Sequence, residues 1–170
     1  MNRKINEKRY TIEGAGIAII ATQQPMGHDL RVLATILEVC TEFERMGDYA
    51  KGVAAINLRS GGLNMPKILR DIYYMSEKVI DMLHRTLTAF VDEDQYAAKA
   101  IAIDDDLIDA LYRQLYFEMM DYIIEQPGNI ERANYVLWTG HNLERMADRV
   151  TNICERVVYI KIGELAVQFD

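Results

Sequence analysis

Residues 43–50 read Phe-Glu-Arg-Met-Gly-Asp-Tyr-Ala, and residues 143–150 read Leu-Glu-Arg-Met-Ala-Asp-Arg-Val. The shared core, Glu-Arg-Met-x-Asp, places Glu44 and Asp48, and 100 positions later Glu144 and Asp148, four residues apart. On a helix that spacing stacks both acids on one face, where like charges repel. A chain that repeats a self-repelling pair is read as an internal duplication, and each pair calls for a cation.

The rest of the sequence lets such a helical duplication fold. Half of the 170 residues are apolar and about a quarter are charged, which suits a globular core and argues against disorder. The three prolines, Pro25, Pro66 and Pro127, leave long uninterrupted stretches between them. Period-3.6 patterning predicts helices over about 3–23, 28–59, 65–91, 93–125 and 129–164, with Asp92 capping the fourth, and no strand. Short links between them imply antiparallel neighbours. The Gln24-Pro25 break before the second helix matches Gln126-Pro127 before the fifth with a two-residue shift. The expected fold is all-α, in two halves: 1–62, an incomplete N-terminal bundle, and 63–170, a three-helix bundle.

A net charge of −7 argues against a nucleic-acid partner and against docking on an anionic membrane. No apolar secretory segment follows Met1, and the most apolar run, 15–21, is far too short to span a bilayer. Cys40 and Cys154 lie within apolar helical patterns without a C-x-x-C motif. They read as small core residues of a reduced, cytoplasmic protein.

On the fifth helix the acidic pair extends into one polar stripe: His141, Glu144, Asp148, Asn152 and Glu155. The preceding helix offers Asp105 and Asp109, again four apart. Facing each other, these groups suit a carboxylate metal site between helices; the competing reading is an interhelical ion network. Arg45 and Arg145 sit off the face of their acids and are not expected to neutralise them. The first half is poorer. Either Arg3 and Glu7 or Arg9 and Glu13 fall opposite Asp105 and Asp109, and Gly52 replaces Asn152. No phosphate-binding loop or nucleophile motif is present, so catalysis is not expected. The crowded Tyr112, Tyr116, Phe117, Met119, Met120 and Tyr122 read mostly as core, with some at an interface.

Gln23-Gln24-Pro25-Met26-x-x-Asp29-Leu30-Arg31, both Glu-Arg-Met-x-Asp words, Asp105-x-x-Ile108-Asp109-x-Leu111-Tyr112, and the run from His141 to Ile153 together resemble the PhoU family of phosphate-transport regulators. The resemblance covers nearly the whole chain. It implies tandem three-helix bundles with pseudo-twofold symmetry and multinuclear iron, zinc, manganese or magnesium sites. It implies a cytoplasmic negative regulator of the phosphate regulon, acting between the Pst transporter ATPase and the PhoR sensor kinase. Carried over, the metal residues are Glu44 and Asp48, with Asp29 nearby, in the first half. In the second they are Asp105, Asp109, Glu144, Asp148 and Asn152; His141 joins them from its place on the stripe. The family's usual first helix has no counterpart here, so a second copy of the chain is expected to cover the exposed apolar face, giving a homodimer. Metal storage, a metal-dependent phosphoesterase and a metal-free helical adaptor are the alternatives.

Overall fold

The computed structural model describes residues 2–61 and 65–164. It consists of α1 (Asn2–Gln23), α2 (His28–Ser60), α3 (Pro66–Asp92), α4 (Gln95–Ala102), α5 (Asp105–Glu125), a 3-10 turn (Pro127–Asn129) and α6 (Ile130–Ile162). No strand occurs among the described residues.

The breaks have local chemical causes. Gly61 takes the left-handed conformation that ends α2, and Gly163 does the same after α6. Pro66 opens α3, where its missing N–H costs nothing. Glu93 closes α3 with a positive φ of 50°, an uncommon conformation for a residue with a Cβ. Its carboxylate accepts from Lys161 Nζ at 2.7 Å and stands 3.0 Å from His28 Nε2. One side chain thereby clasps the start of α2, the end of α3 and the end of α6.

The single helix expected over 93–125 is two. Asp94, not Asp92, is the cap: its Oδ1 accepts from the Tyr96 and Ala97 amides at 2.9 and 3.0 Å. The short α4 stops at Ala102, and α5 starts within the aspartate run that the sequence reading placed inside a helix. Carboxylates are favoured where a helix exposes free N–H groups. Asp104 is held at this break by Arg85 Nη1, 2.7 Å away.

The two long helices that carry the repeats run antiparallel along each other. Arg156 Nη2 pairs with Glu38 Oε2 at 2.9 Å, and Asn152 Nδ2 with Glu42 Oε2 at 3.4 Å. Further along, a Cβ at Gly52 would come within 3.1 Å of Asn142 Oδ1. The ladder steps down α2 as it steps up α6, and its midpoint falls on Gly47 and Ala147. These are the variable positions of the two Glu-Arg-Met-x-Asp words. By that register the repeats cross near Gly47 and Ala147, and Ala147 is fully buried.

On this pair, α1 packs along α2 while α3, α4 and α5 pack on α6. Val39 and Met46 of α2 share one core with Met75, Met82, Ile101, Ile108 and Val150, so the core is continuous across residue 62. A smaller cluster of Ile68, Leu115, Met119, Ala133 and Val136 fills the opposite end of the bundle. Cys154 is buried and Cys40 half-buried, both unbridged. Cys154 Sγ lies 3.2 Å from Thr86 Oγ1, and burial pushes its thiol up to about 11, which suits an inert core residue.

Enlarging the crossing should part the two helices. Ala147→Leu is expected to destabilise the protein by about 2–3 kcal/mol through overpacking, read as a lowered midpoint in urea unfolding. The exposed Ala100→Leu, on α4, should change it by less than about 0.5 kcal/mol.

Candidate metal centre

Asp105 opens α5 and Asp109 follows one turn later; Glu144 and Asp148 lie on α6. The four carboxylates form one electrostatic group. Asp105 is pushed up to about 6, first by burial and then by the charges of Asp109, Asp148 and Glu144. Burial and Asp148 raise Asp109; burial and Asp148 raise Glu144 as well, against the pull of His141 and Arg145.

Side chains of α5 press closely on the α6 backbone beside this cluster. A Cβ at Gly140 would meet Leu115 Cδ2 at 2.6 Å and Tyr112 Cδ2 at 3.1 Å. The glycine lets Tyr112 pack over α6, where its ring lies 5.9 Å from the His141 ring. His141 Nδ1 stands 3.3 Å from Glu144 Oε2 without hydrogen-bond alignment.

Three buried oxygens in this region make no hydrogen bond of good geometry: Asp105 Oδ1, Glu144 Oε2 and Thr151 Oγ1, although the Thr151 hydroxyl lies near enough to Asp105 to draw its pKa down against the other causes. Buried polar atoms are normally paired, and an unpaired one is costly. Among the described residues, no group of three or more histidine, cysteine, aspartate or glutamate side chains is placed to hold a metal ion as it stands. The donor chemistry nonetheless fits a cation. The helices bring hard oxygens to one region, where burial and mutual repulsion raise Asp105, Asp109 and Glu144. Asp105, Asp109, Glu144 and Asp148 are the residues that would hold the cation.

The other site residues read from the sequence are placed differently. Asn152 directs its amide nitrogen to Glu42 on α2, beside Arg149 Nη1, which lies 3.4 Å from the same Oε2. Arg145 does reach its neighbouring acid, contrary to expectation: Nη1 is 2.7 Å from Asp148 Oδ2. Three residues separate them, so the long arginine bends around the helix to a side chain about one turn away.

In the first half Glu44 meets Arg9 Nη1 at 3.3 Å, and the same arginine's Nε bonds Glu13 at 2.7 Å. Asp48 is exposed one turn further along α2. Asp29 is 81% exposed at the start of α2, near His28. Fifteen helical residues separate it from Glu44, about 22 Å of rise, so the two are not brought together.

Three residues of these sites were not read as ligands from the sequence. Thr151 adds a buried hydroxyl beside Asp105, Tyr112 roofs the cluster, and Asn6 buries an unpaired Oδ1 on α1. The available signals were a polar β-branched residue within a buried helix face and a tyrosine one turn beyond the second acid.

These features define an internally duplicated, all-helical protein with a carboxylate cluster clamped between two helices of its second half. The model of the PhoU domain family matches residues 1–56 and 72–157, and the chain belongs to that family. It is 32% identical over 161 residues to the phosphate-specific transport system accessory protein PhoU homolog of Clostridium acetobutylicum, covering 94% of this chain and 74% of that one. The Aquifex aeolicus homolog is 36% identical over 156 residues, covering 91% and 70%. The crystal structure of the phosphate transport system regulatory protein PhoU from Streptococcus pneumoniae superimposes with a TM-score of 0.89 at 31% identity, covering 98% of this chain and 78% of that one. PhoU from Pseudomonas aeruginosa gives 0.89 at 28% identity, covering 96% and 78%.

The raised acids set a pH dependence. A carboxyl whose folded pKa exceeds its unfolded value stabilises the fold below the unfolded value. That contribution is lost as pH rises through the folded one. For metal-free protein, the Asp105 contribution should therefore fall between about pH 4 and pH 6. Asp105→Asn should flatten that decline and raise stability at pH 7 by about 1–2 kcal/mol after allowance for solvent screening, read by thermal melts across pH in chelator.

Proposed function

We propose that this chain is a metal-binding, cytoplasmic regulator of phosphate uptake, acting through the Pst transporter ATPase and a PhoR-type sensor kinase to hold the phosphate regulon down. The observation that carries the metal part is the set of buried, unpaired oxygens of Asp105, Glu144 and Thr151 among acids that raise one another's pKa. The accessory role is supported by relatives named for the phosphate-specific transport system. They are named as accessory or regulatory proteins, in keeping with a non-catalytic role.

A bound iron, zinc, manganese or magnesium ion would add positive charge beside Asp105, Asp109 and Glu144, whose repulsion Arg145 and His141 offset only in part. The chain's own groups do the rest. Asp105 and Asp109 present oxygens from α5, Glu144 and Asp148 present them from α6, and neutralisation draws the helices together. His141 lies against Glu144 and Arg145 against Asp148, orienting the carboxylates from outside. Among the described residues, no helix is long and apolar enough to cross a membrane, so any membrane association would run through the transporter or the kinase.

A second copy of the chain is proposed to pack on α1, where apolar residues flank both sides of the face turned to α2. Tyr10 and Ile17 on one flank are 66% and 61% exposed, and Ile12 and Ile19 on the other are also exposed. Sedimentation should give a dimer at micromolar concentration, and Ile17→Glu should shift it towards monomer. A monomeric parent protein sinks the dimer.

The metal reading is tested by elemental analysis of protein purified without chelator. The parent should carry divalent or trivalent metal, and the Asp105→Asn/Asp109→Asn double variant should lose at least ~10-fold in affinity. Equal metal in both, or none in either, removes the metal centre. In the host, the double variant should leave a phosphate-regulon reporter switched on in phosphate-rich medium; a fully repressed reporter counts against the regulatory role.

A further inference from the structure

The two halves answer the same electrostatic problem differently. The buried and half-buried positions of α1 facing α2 are 5, 6, 9, 13, 16 and 20. On α5, the half-buried positions 105, 109 and 112 and the buried positions 108 and 115 follow a similar helical rhythm. Asn6 of α1 and Asp105 of α5 share a further property: each has a buried Oδ1 without a hydrogen-bond partner.

Arg9 is only 27% exposed and Glu44 24%. Its Nε lies 2.7 Å from Glu13 Oε1 and its Nη1 lies 3.3 Å from Glu44 Oε2. A planar guanidinium with fixed donors suits two carboxylates arriving from different helices. In the second half, Arg145 reaches Asp148 from the same helix, and the buried oxygens of Asp105 and Glu144 remain unpaired.

We propose that Arg9 is a covalently built-in cation that takes the place of a metal ion in the first half, so that only the second half exchanges metal. The proposal rests on the metal reading of the second half. It gives that reading an asymmetry: metal supply acts on α5 and α6 and leaves the contact between α1 and α2 unchanged.

The test measures metal per chain after loading with manganese and desalting, alongside thermal melts with manganese or chelator. Glu44→Gln should leave metal content at the parent level. Arg9→Asp, which replaces the resident cation with a further carboxylate, should raise it about twofold by opening a second oxygen-donor site. That variant should melt lower than the parent in chelator and recover with manganese. A fall in metal content in Glu44→Gln overturns the proposal, because the first half would then already hold metal. An Arg9→Asp protein that folds but gains neither metal nor a manganese-dependent melting shift also overturns it. Should Arg9→Asp fail to fold even with manganese, Arg9→Gln takes its place, with the same gain expected and the same null result fatal. Failure of the underlying reading is distinguishable: a parent without metal removes the second-half centre, while gain or no gain in the Arg9 variant still decides the role of the arginine.

Discussion

The structure depends on the antiparallel contact between α2 and α6. The helices step past each other through Glu38 with Arg156, Glu42 with Asn152, and Gly52 with Asn142. At the midpoint the two repeated words cross with Gly47 and Ala147 between their acids. Glu44 is turned towards Arg9 of α1, and Glu144 and Asp148 lie close enough to α5 to raise Asp105. The same five-residue pattern thus sets both the helix packing and the position of the carboxylates. Each of the flanking helices supplies what its half needs: further acids from α5, and an arginine from α1.

The second half holds its negative charge at a cost to the metal-free fold. Burial and mutual repulsion raise Asp105, Asp109 and Glu144 together, and single oxygens of Asp105 and Glu144 go unpaired. Such local strain is worth keeping where a ligand relieves it, since whatever binds the native state stabilises it by mass action. Arg149 and Asn152, on the same helix as Glu144 and Asp148, both meet Glu42 and so hold α6 to α2.

Much of this was readable in the sequence because the chain punctuates itself. Prolines and glycines mark the long helices, and the duplicated motif identifies which of them correspond. The acidic partner pair, Asp105 and Asp109, follows from spacing alone. The fourth helix was misjudged because an aspartate run looks alike in the middle of a polar face and at a helix start; the Arg85 contact that holds the break comes from a distant part of the chain. Matching four-spaced polar pairs leaves two alignments of α1 open, and in one of them Arg9, paired with Glu13, meets Glu44 through the length of the arginine side chain. Arg145 was assigned from Cα position, while its reach is set by the length of its side chain. Asn152 shared a stripe with the acids but found its partner on a helix that stripe analysis leaves out.

The Glu93 clasp bears on how the protein would come apart in acid. Lys161 and His28 hold this carboxyl below the usual carboxylate range, so its stabilising effect is present near neutrality and fades as pH falls through its folded value. Three helix termini meet at that one group, and protonation releases them together. The acids between α5 and α6 act in the opposite sense, weakening the metal-free fold as pH rises. Metal-free protein is accordingly squeezed from two sides, with loosening at the shared corner of α2, α3 and α6 on the acid side and at the α5–α6 seam towards neutrality.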